Sequence, residues 1–124
     1  MLVKSILNLN IILVKVNISL SSNNTIICVS TLNDKVLFCS SNGSLKVKGA
    51  KRSTSYASQR ISNILGKKLH FLGYKYIYIV IKGFGNGRYT SIKGFDSTGL
   101  ITLNILDKTF IPFNGCKVSK KRRI

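Results

Sequence analysis

The chain has 124 residues, with 20 Lys and Arg against three Asp and no Glu, for a net charge of +17. One domain of this length buries roughly two-thirds of its unfolded surface, and 44% hydrophobic residues exclude a disordered basic tail of the histone type. Such an imbalance makes an isolated domain repel itself, so its working state includes a polyanion. Because basic residues spread from Lys4 to Arg123, nucleic acid is the leading partner and an anionic membrane surface the weaker alternative.

Residues 1–15 read as an N-terminal extension. Leu2 to Leu20 are rich in Leu, Ile and Val, but Asn8, Asn10, Lys15 and Asn17 interrupt them. No apolar run reaches the roughly 18 residues of a membrane span. Neither a secretory cleavage pattern nor a transit-peptide arginine is present. Val14 to Ser19 alternates as a half-buried strand. Thr25 to Thr31 is a second strand, followed by turn chemistry at 32–35. Val36 to Ser40 returns as a hairpin partner, and Ser41-Asn42-Gly43 turns again before Leu45 to Val47. The expectation is an antiparallel meander.

The period then changes. Ala57, Ile61, Ile64, Leu65, Leu69 and Leu72 share a helical face, with Ser58, Arg60, Asn63 and Lys67 opposite. Thr54 is the predicted N-cap and Gly73 the stop. Tyr76 to Ile81 is apolar on both faces and predicts cover on both sides of a sheet. A short helix is expected near Arg88 to Ser97, closed around Gly99, and Leu100 to Leu106 is the last strand. The order β-β-β-α-β-α-β predicts an α/β fold with a mixed sheet. Residues 16–110 form the core domain, and 111–124 a basic tail.

Two constellations carry binding chemistry. Gly83-Phe84-Gly85-Asn86-Gly87-Arg88 joins a strand to a helix start. Glycine turns and helix N-termini expose N–H groups and let a phosphate come close, and Arg88 is expected to add a bidentate phosphate contact. The spacing fails the dinucleotide fingerprint, and no Gly-Lys-Ser/Thr completes a P-loop. The loop reads as an RNA-backbone contact, with a plain tight turn as the alternative. The second constellation runs from Lys46 to Arg60, where Lys46, Lys48, Lys51, Arg52 and Arg60 interleave with Gly49, Ser53, Thr54 and Ser55. Cations neutralise phosphates there, and small residues allow close approach. A solvated basic loop is the alternative.

Catalysis is not expected. His70 stands alone, and Asp34, Asp96 and Asp107 are too few for a two-metal nuclease. Cys28, Cys39 and Cys116 form no CxxC pair, so they read as inert thiols without metal or disulfide. No cofactor and no small-molecule substrate are expected. Pro112 and Asn114-Gly115 predict a turn that aims the tail.

Asn23-Asn24-Thr25-Ile26, Gly49-Ala50-Lys51-Arg52-Ser53-Thr54, Gly83-x-Gly85-x-Gly87-Arg88, Ile111-Pro112-x-Asn114-Gly115-Cys116 and the terminal Lys120-Lys121-Arg122-Arg123 occur in this order. The set, from about Val16 to Ile124, resembles the universal small-subunit ribosomal protein eleven (S-eleven) family. That resemblance implies a ribonuclease-H-like sandwich binding small-subunit ribosomal RNA in the platform, near the messenger-RNA exit and beside other platform proteins. It implies RNA contacts at Lys51, Arg52, Ser53, Thr54, Gly83, Gly85, Gly87, Arg88 and the tail. Lys46 and Lys48 join this set from the basic loop, and the tail's contacts are Asn114, Gly115, Lys117, Lys120, Lys121, Arg122 and Arg123. The chain departs from the family pattern at Phe84, Tyr89, Phe113 and Lys117-Val118-Ser119. Losing prolines predicts a looser tail, and Lys117 meets a phosphate as a point charge rather than a fork. This divergence, with abundant Ile, Asn and Lys and Ala only at 50 and 57, points to a mitochondrial ribosome. The competing readings are an RNA-processing nuclease of ribonuclease-H-like fold and a peripheral membrane protein anchored by Leu2 to Leu20.

Overall fold

The computed structural model describes residues 12–124. Five strands, β1 (Leu13–Leu20), β2 (Thr25–Ser30), β3 (Val36–Ser41), β4 (Tyr76–Gly83) and β5 (Ile101–Asp107), form one sheet in the order β3-β2-β1-β4-β5. β1 pairs antiparallel with β2 and parallel with β4, and β5 runs parallel to β4, so the sheet is mixed as expected. Two helices, α1 (Ser55–Phe71) and α2 (Arg88–Asp96), supply the crossovers that parallel strands need.

Alternation in β1 is realised in the core. Val14, Val16, Ile18 and Leu20 are buried, together with Ile27 and Val29 of β2 and Ile77, Ile79 and Ile81 of β4. Ile61, Leu65 and Leu69 of α1 and Phe95 of α2 close the same cluster. Full burial of such side chains contributes about 1.5–3 kcal/mol each. Because β1 is the central strand through Leu20, that segment is not a helical membrane anchor. The rest of that proposed anchor, 2–11, and most of the expected extension lie outside the described residues.

Thr54 caps α1 as predicted: Ala57 N–H donates to its Oγ1 at 3.4 Å. Gly73 ends the helix at φ +90°, where its N–H donates to the His70 carbonyl at 3.0 Å.

Three expectations need correction. Leu45–Val47 is not a strand; a 3-10 helix at Asn42–Leu45 is followed by a second at Gly49–Ser53. Lys46 sits between them at φ +58°, a left-handed position that no strand accommodates. Second, both helices lie on one face of the sheet, and the other face carries no helix among the described residues. β4 alternates only in its first half: Ile77, Ile79 and Ile81 face the helices while Tyr76 and Tyr78 are half-buried opposite, where a phenol reaches water, but Val80 on that opposite side is buried too.

Third, Ser58 is buried, not on the polar face, while Ile64 and Leu72 are exposed. Ser58, Ser62 and Gly66 recur every four residues as a small-residue seam against α2. A Cβ on Gly94 would lie 2.6 Å from Ser62 Cβ, and one on Gly66 2.6 Å from Thr98 Oγ1. Bulk on either side would drive the helices apart. Ser62 Oγ donates to the Ser58 carbonyl at 2.9 Å, which lets a hydroxyl be buried at little cost.

Candidate nucleic-acid interface

Parallel pairing of β1, β4 and β5 brings their carboxyl ends to one edge. β3 also ends there, so the loop after β3 and the N-termini of α1 and α2 gather at the same place. Open α/β sheets bind ligands at this end, where crossovers diverge and helix N-termini offer unpaired N–H groups.

A buried polar relay knits the loops together. Asn42 is fully buried, and its Nδ2 donates to the Arg52 carbonyl at 2.8 Å and to Ser58 Oγ at 3.2 Å. Ser58 Oγ in turn shares a 2.8 Å hydrogen bond with Thr25 Oγ1. Gly87 rests on this pair: a Cβ there would collide with Ser58 Oγ and Thr25 Oγ1. In one dimension Asn42 reads only as a turn residue, and Thr25 as the start of a strand within the Asn23-to-Ile26 motif; the hydrogen bonds that join them to Ser58 are tertiary.

Lys46, Lys48 and Lys51 are exposed along the basic loop. Arg52 is half-buried; its Nε donates to the Val47 carbonyl at 3.3 Å while its guanidinium covers Gly43. Ser53 Oγ donates to the Ala50 carbonyl at 2.8 Å and Thr54 Oγ1 to the Lys51 carbonyl at 2.7 Å. Both hydroxyls thus hold the turn, and the exposed charge belongs to the lysines.

The glycine loop follows a logic that sequence alone did not show. Gly83 adopts φ +86°, and a Cβ there would run into the Leu20 carbonyl oxygen. One on Gly85 would lie 2.5 Å from the Ser21 carbonyl oxygen. The space beside all three glycines is therefore filled by the protein, so the glycines allow β1 and α1 to come close. Asn86 and Phe84 between them are exposed.

Arg88 is also placed differently from the expected free phosphate fork. Its Nη1 donates to the Gly83 carbonyl at 3.0 Å and its Nη2 pairs with Asp107 Oδ2. The rest of the guanidinium still has N–H groups to offer. Thr109 completes the clasp: its N–H donates to Asp107 Oδ1 at 3.0 Å and its hydroxyl to the same oxygen at 2.6 Å. The Thr109 hydroxyl, the Arg88 side chain and the Thr109 N–H, in that order, hold the Asp107 carboxyl down to about 2. The carboxylate is thereby kept ionised and neutralised by Arg88. Gly83 N–H donates to Thr109 Oγ1 at 3.2 Å, so the glycine loop and the origin of the tail are joined.

From Phe110 to Ile124 every residue is exposed and no helix or strand forms. Lys117, Lys120, Lys121, Arg122 and Arg123 lie here, interspersed with exposed Ile111, Phe113, Val118 and Ile124. Asn114 takes φ +57°, a backbone position asparagine tolerates, and the chain bends there without closing a hydrogen-bonded turn.

The other two carboxylates do not converge with Asp107. Asp34 pairs with Lys15 at 3.1 Å at the amino end of β1, and Asp96 at the end of α2 accepts from Thr102 Oγ1 at 3.1 Å. His70 is exposed in the last turn of α1. Cys28 and Cys39 face each other across the β2–β3 hairpin as free thiols. Burial, then the neighbouring Cys39, raises the Cys28 thiol above its ordinary value, which disfavours the reactive thiolate.

Fold and surface define the class: a strongly cationic, mixed α/β domain whose basic loops and helix N-termini gather at one end of the sheet. A sequence profile of the family described as Ribosomal protein S11 matches residues 14–123. The small ribosomal subunit protein uS11c of Cyanidium caldarium is 43% identical over 102 residues, covering 82% of this chain and 79% of that protein. Protein uS11m of Marchantia polymorpha is 41% identical over 101 residues, 82% and 81% of the two chains. Protein uS11 of Borreliella burgdorferi is 39% identical over 109 residues, 88% and 84%. The chain belongs to the ribosomal protein S11 family, whose members are structural, non-catalytic, rRNA-binding constituents of the small ribosomal subunit.

Proposed function

We propose that this protein holds small-subunit ribosomal RNA against the carboxyl end of its sheet, in the platform near the messenger-RNA exit and beside other platform proteins. The observation that carries the reading is electrostatic. Lys46, Lys48, Lys51, Lys82, Lys108 and both helix N-termini share that end, and its one side-chain carboxylate, Asp107, is already taken by Arg88. A phosphate backbone approaching there meets cations without a competing negative charge. The basic residues of 114–123 extend the surface as a tail laid along the RNA.

The sheet order β3-β2-β1-β4-β5 with two crossover helices is read as ribonuclease-H-like, used as a scaffold. The Ile, Asn and Lys skew of the sequence supports a mitochondrial ribosome; relatives from plastid, mitochondrial and bacterial sources support the ribosomal role in each setting. Sedimentation of the tagged protein from organelle lysate tests both points. Co-migration with the small subunit, abolished by ribonuclease, is expected. A free or membrane-bound pool would reject the reading.

A further inference from the structure

Between the ends of β4 and β5 lies a groove of about 550 Å³, lined by Lys82, Phe84, Lys108 and Phe110 over a floor that includes Gly83 and Thr109. Phe84 is 66% exposed and Phe110 89% exposed. Packing explains neither: both are large apolar rings left in water beside two ammonium groups. The floor is rigid, because Gly83 N–H donates to Thr109 Oγ1 at 3.2 Å and Lys108 N–H to the Ile81 carbonyl at 2.9 Å.

We propose that this groove takes an unstacked nucleotide from a single-stranded loop or bulge of RNA. Its base stacks on the Phe84 and Phe110 rings, and its flanking phosphates lie on Lys82 and Lys108. The inference rests on the RNA-binding reading above and adds what that reading lacks, a preference for unpaired RNA. Lysines alone attract any phosphate backbone, but an aromatic face is useful only to a base whose own face is free. Along a duplex each base face is stacked on its neighbour, so only the two terminal pairs could offer one. The volume lies within the range of about 300–1,000 Å³ typical of small-ligand sites.

The test uses the full chain and two RNAs at low salt: a hairpin with 2-aminopurine in its unpaired loop, and a blunt duplex. Phe84→Ala and Phe110→Ala are expected to weaken hairpin binding about 5- to 150-fold each and to leave duplex binding unchanged. Phe84→Tyr should restore affinity and Phe84→Leu should not, since leucine is apolar but cannot stack. The salt slope should stay constant in the phenylalanine variants and fall by about 0.7 in Lys82→Ala or Lys108→Ala. Unchanged hairpin binding in both alanine variants, with salt-dependent RNA binding intact, would overturn the stacking site and leave the RNA-binding reading standing. A wild-type protein that binds neither RNA would overturn both. Flotation on phosphatidylglycerol vesicles that the alanine variants lose, with RNA affinity unchanged, would assign the rings to a lipid surface and overturn the proposal.

Discussion

Gly83→Ala separates a glycine kept for internal packing from one kept clear for a ligand. Two costs add at this position. The left-handed backbone, φ +86°, costs about 1–2 kcal/mol once a Cβ is present. Collision of that Cβ with the Leu20 carbonyl, inside the β1–β4 ladder, adds about 1–3 kcal/mol because backbone cannot swing aside as a side chain would. The sum, about 2–5 kcal/mol, is a large share of the 5–15 kcal/mol that holds a typical domain together. At roughly 4 °C per kcal/mol for a chain of this size, the melting temperature should fall by roughly 8–20 °C. Gly49→Ala is the internal control: it shares a positive φ, +65°, but a Cβ there meets nothing within 4 Å. It should pay only the backbone cost, roughly 4–8 °C. Thermal melts of both variants, with RNA affinity measured well below the transition, provide the comparison. Equal shifts in the two variants would refute the collision. A stable Gly83→Ala protein with much weaker RNA binding would return the glycine to the ligand.

Three further outcomes are expected. Folding depresses the Asp107 carboxyl to about 2 from its ordinary 3.8, so its stabilisation is full above pH of about 5 and drains away as the pH falls through about 4 to about 2. The stability gap between wild type and Asp107→Asn should therefore close in acid, and a gap independent of pH would refute the clasp. Asn42→Ala should cost about 1–3 kcal/mol in urea denaturation, because the Arg52 carbonyl and Ser58 hydroxyl lose a buried donor; a neutral result would mean that water replaces the amide. Deleting Lys120 to Ile124 should leave the melting temperature unchanged while flattening the salt dependence of RNA binding by up to about 3 slope units. An unaltered slope would make the tail a solvated end.

Parts of this site were legible in one dimension. Thr54 as N-cap and Gly73 as helix stop depend on hydrogen bonds and φ values within a few residues, which local chemistry dictates. Other parts were misjudged for a common reason. Ser58 looks like a surface residue until Gly87, at the start of α2, packs against it. Arg88 looks like a free phosphate ligand until β5 delivers Asp107 beside it, 19 residues away. Lys82, Phe84, Lys108 and Phe110 form no motif; parallel pairing of β4 with β5 makes them neighbours.

By itself the sequence determined a cationic α/β domain, its strand and helix order and the residues that start and stop its helix α1, because charge, period and backbone freedom are properties of short stretches. Only the tertiary structure decided that both helices share one face and that the glycines serve β1 and α1. It also decided that the basic loop, the clasp and the aromatic groove meet at one end. Those outcomes depend on which strands pair and in which direction, and pairing is set by burying one common core, not by any segment alone.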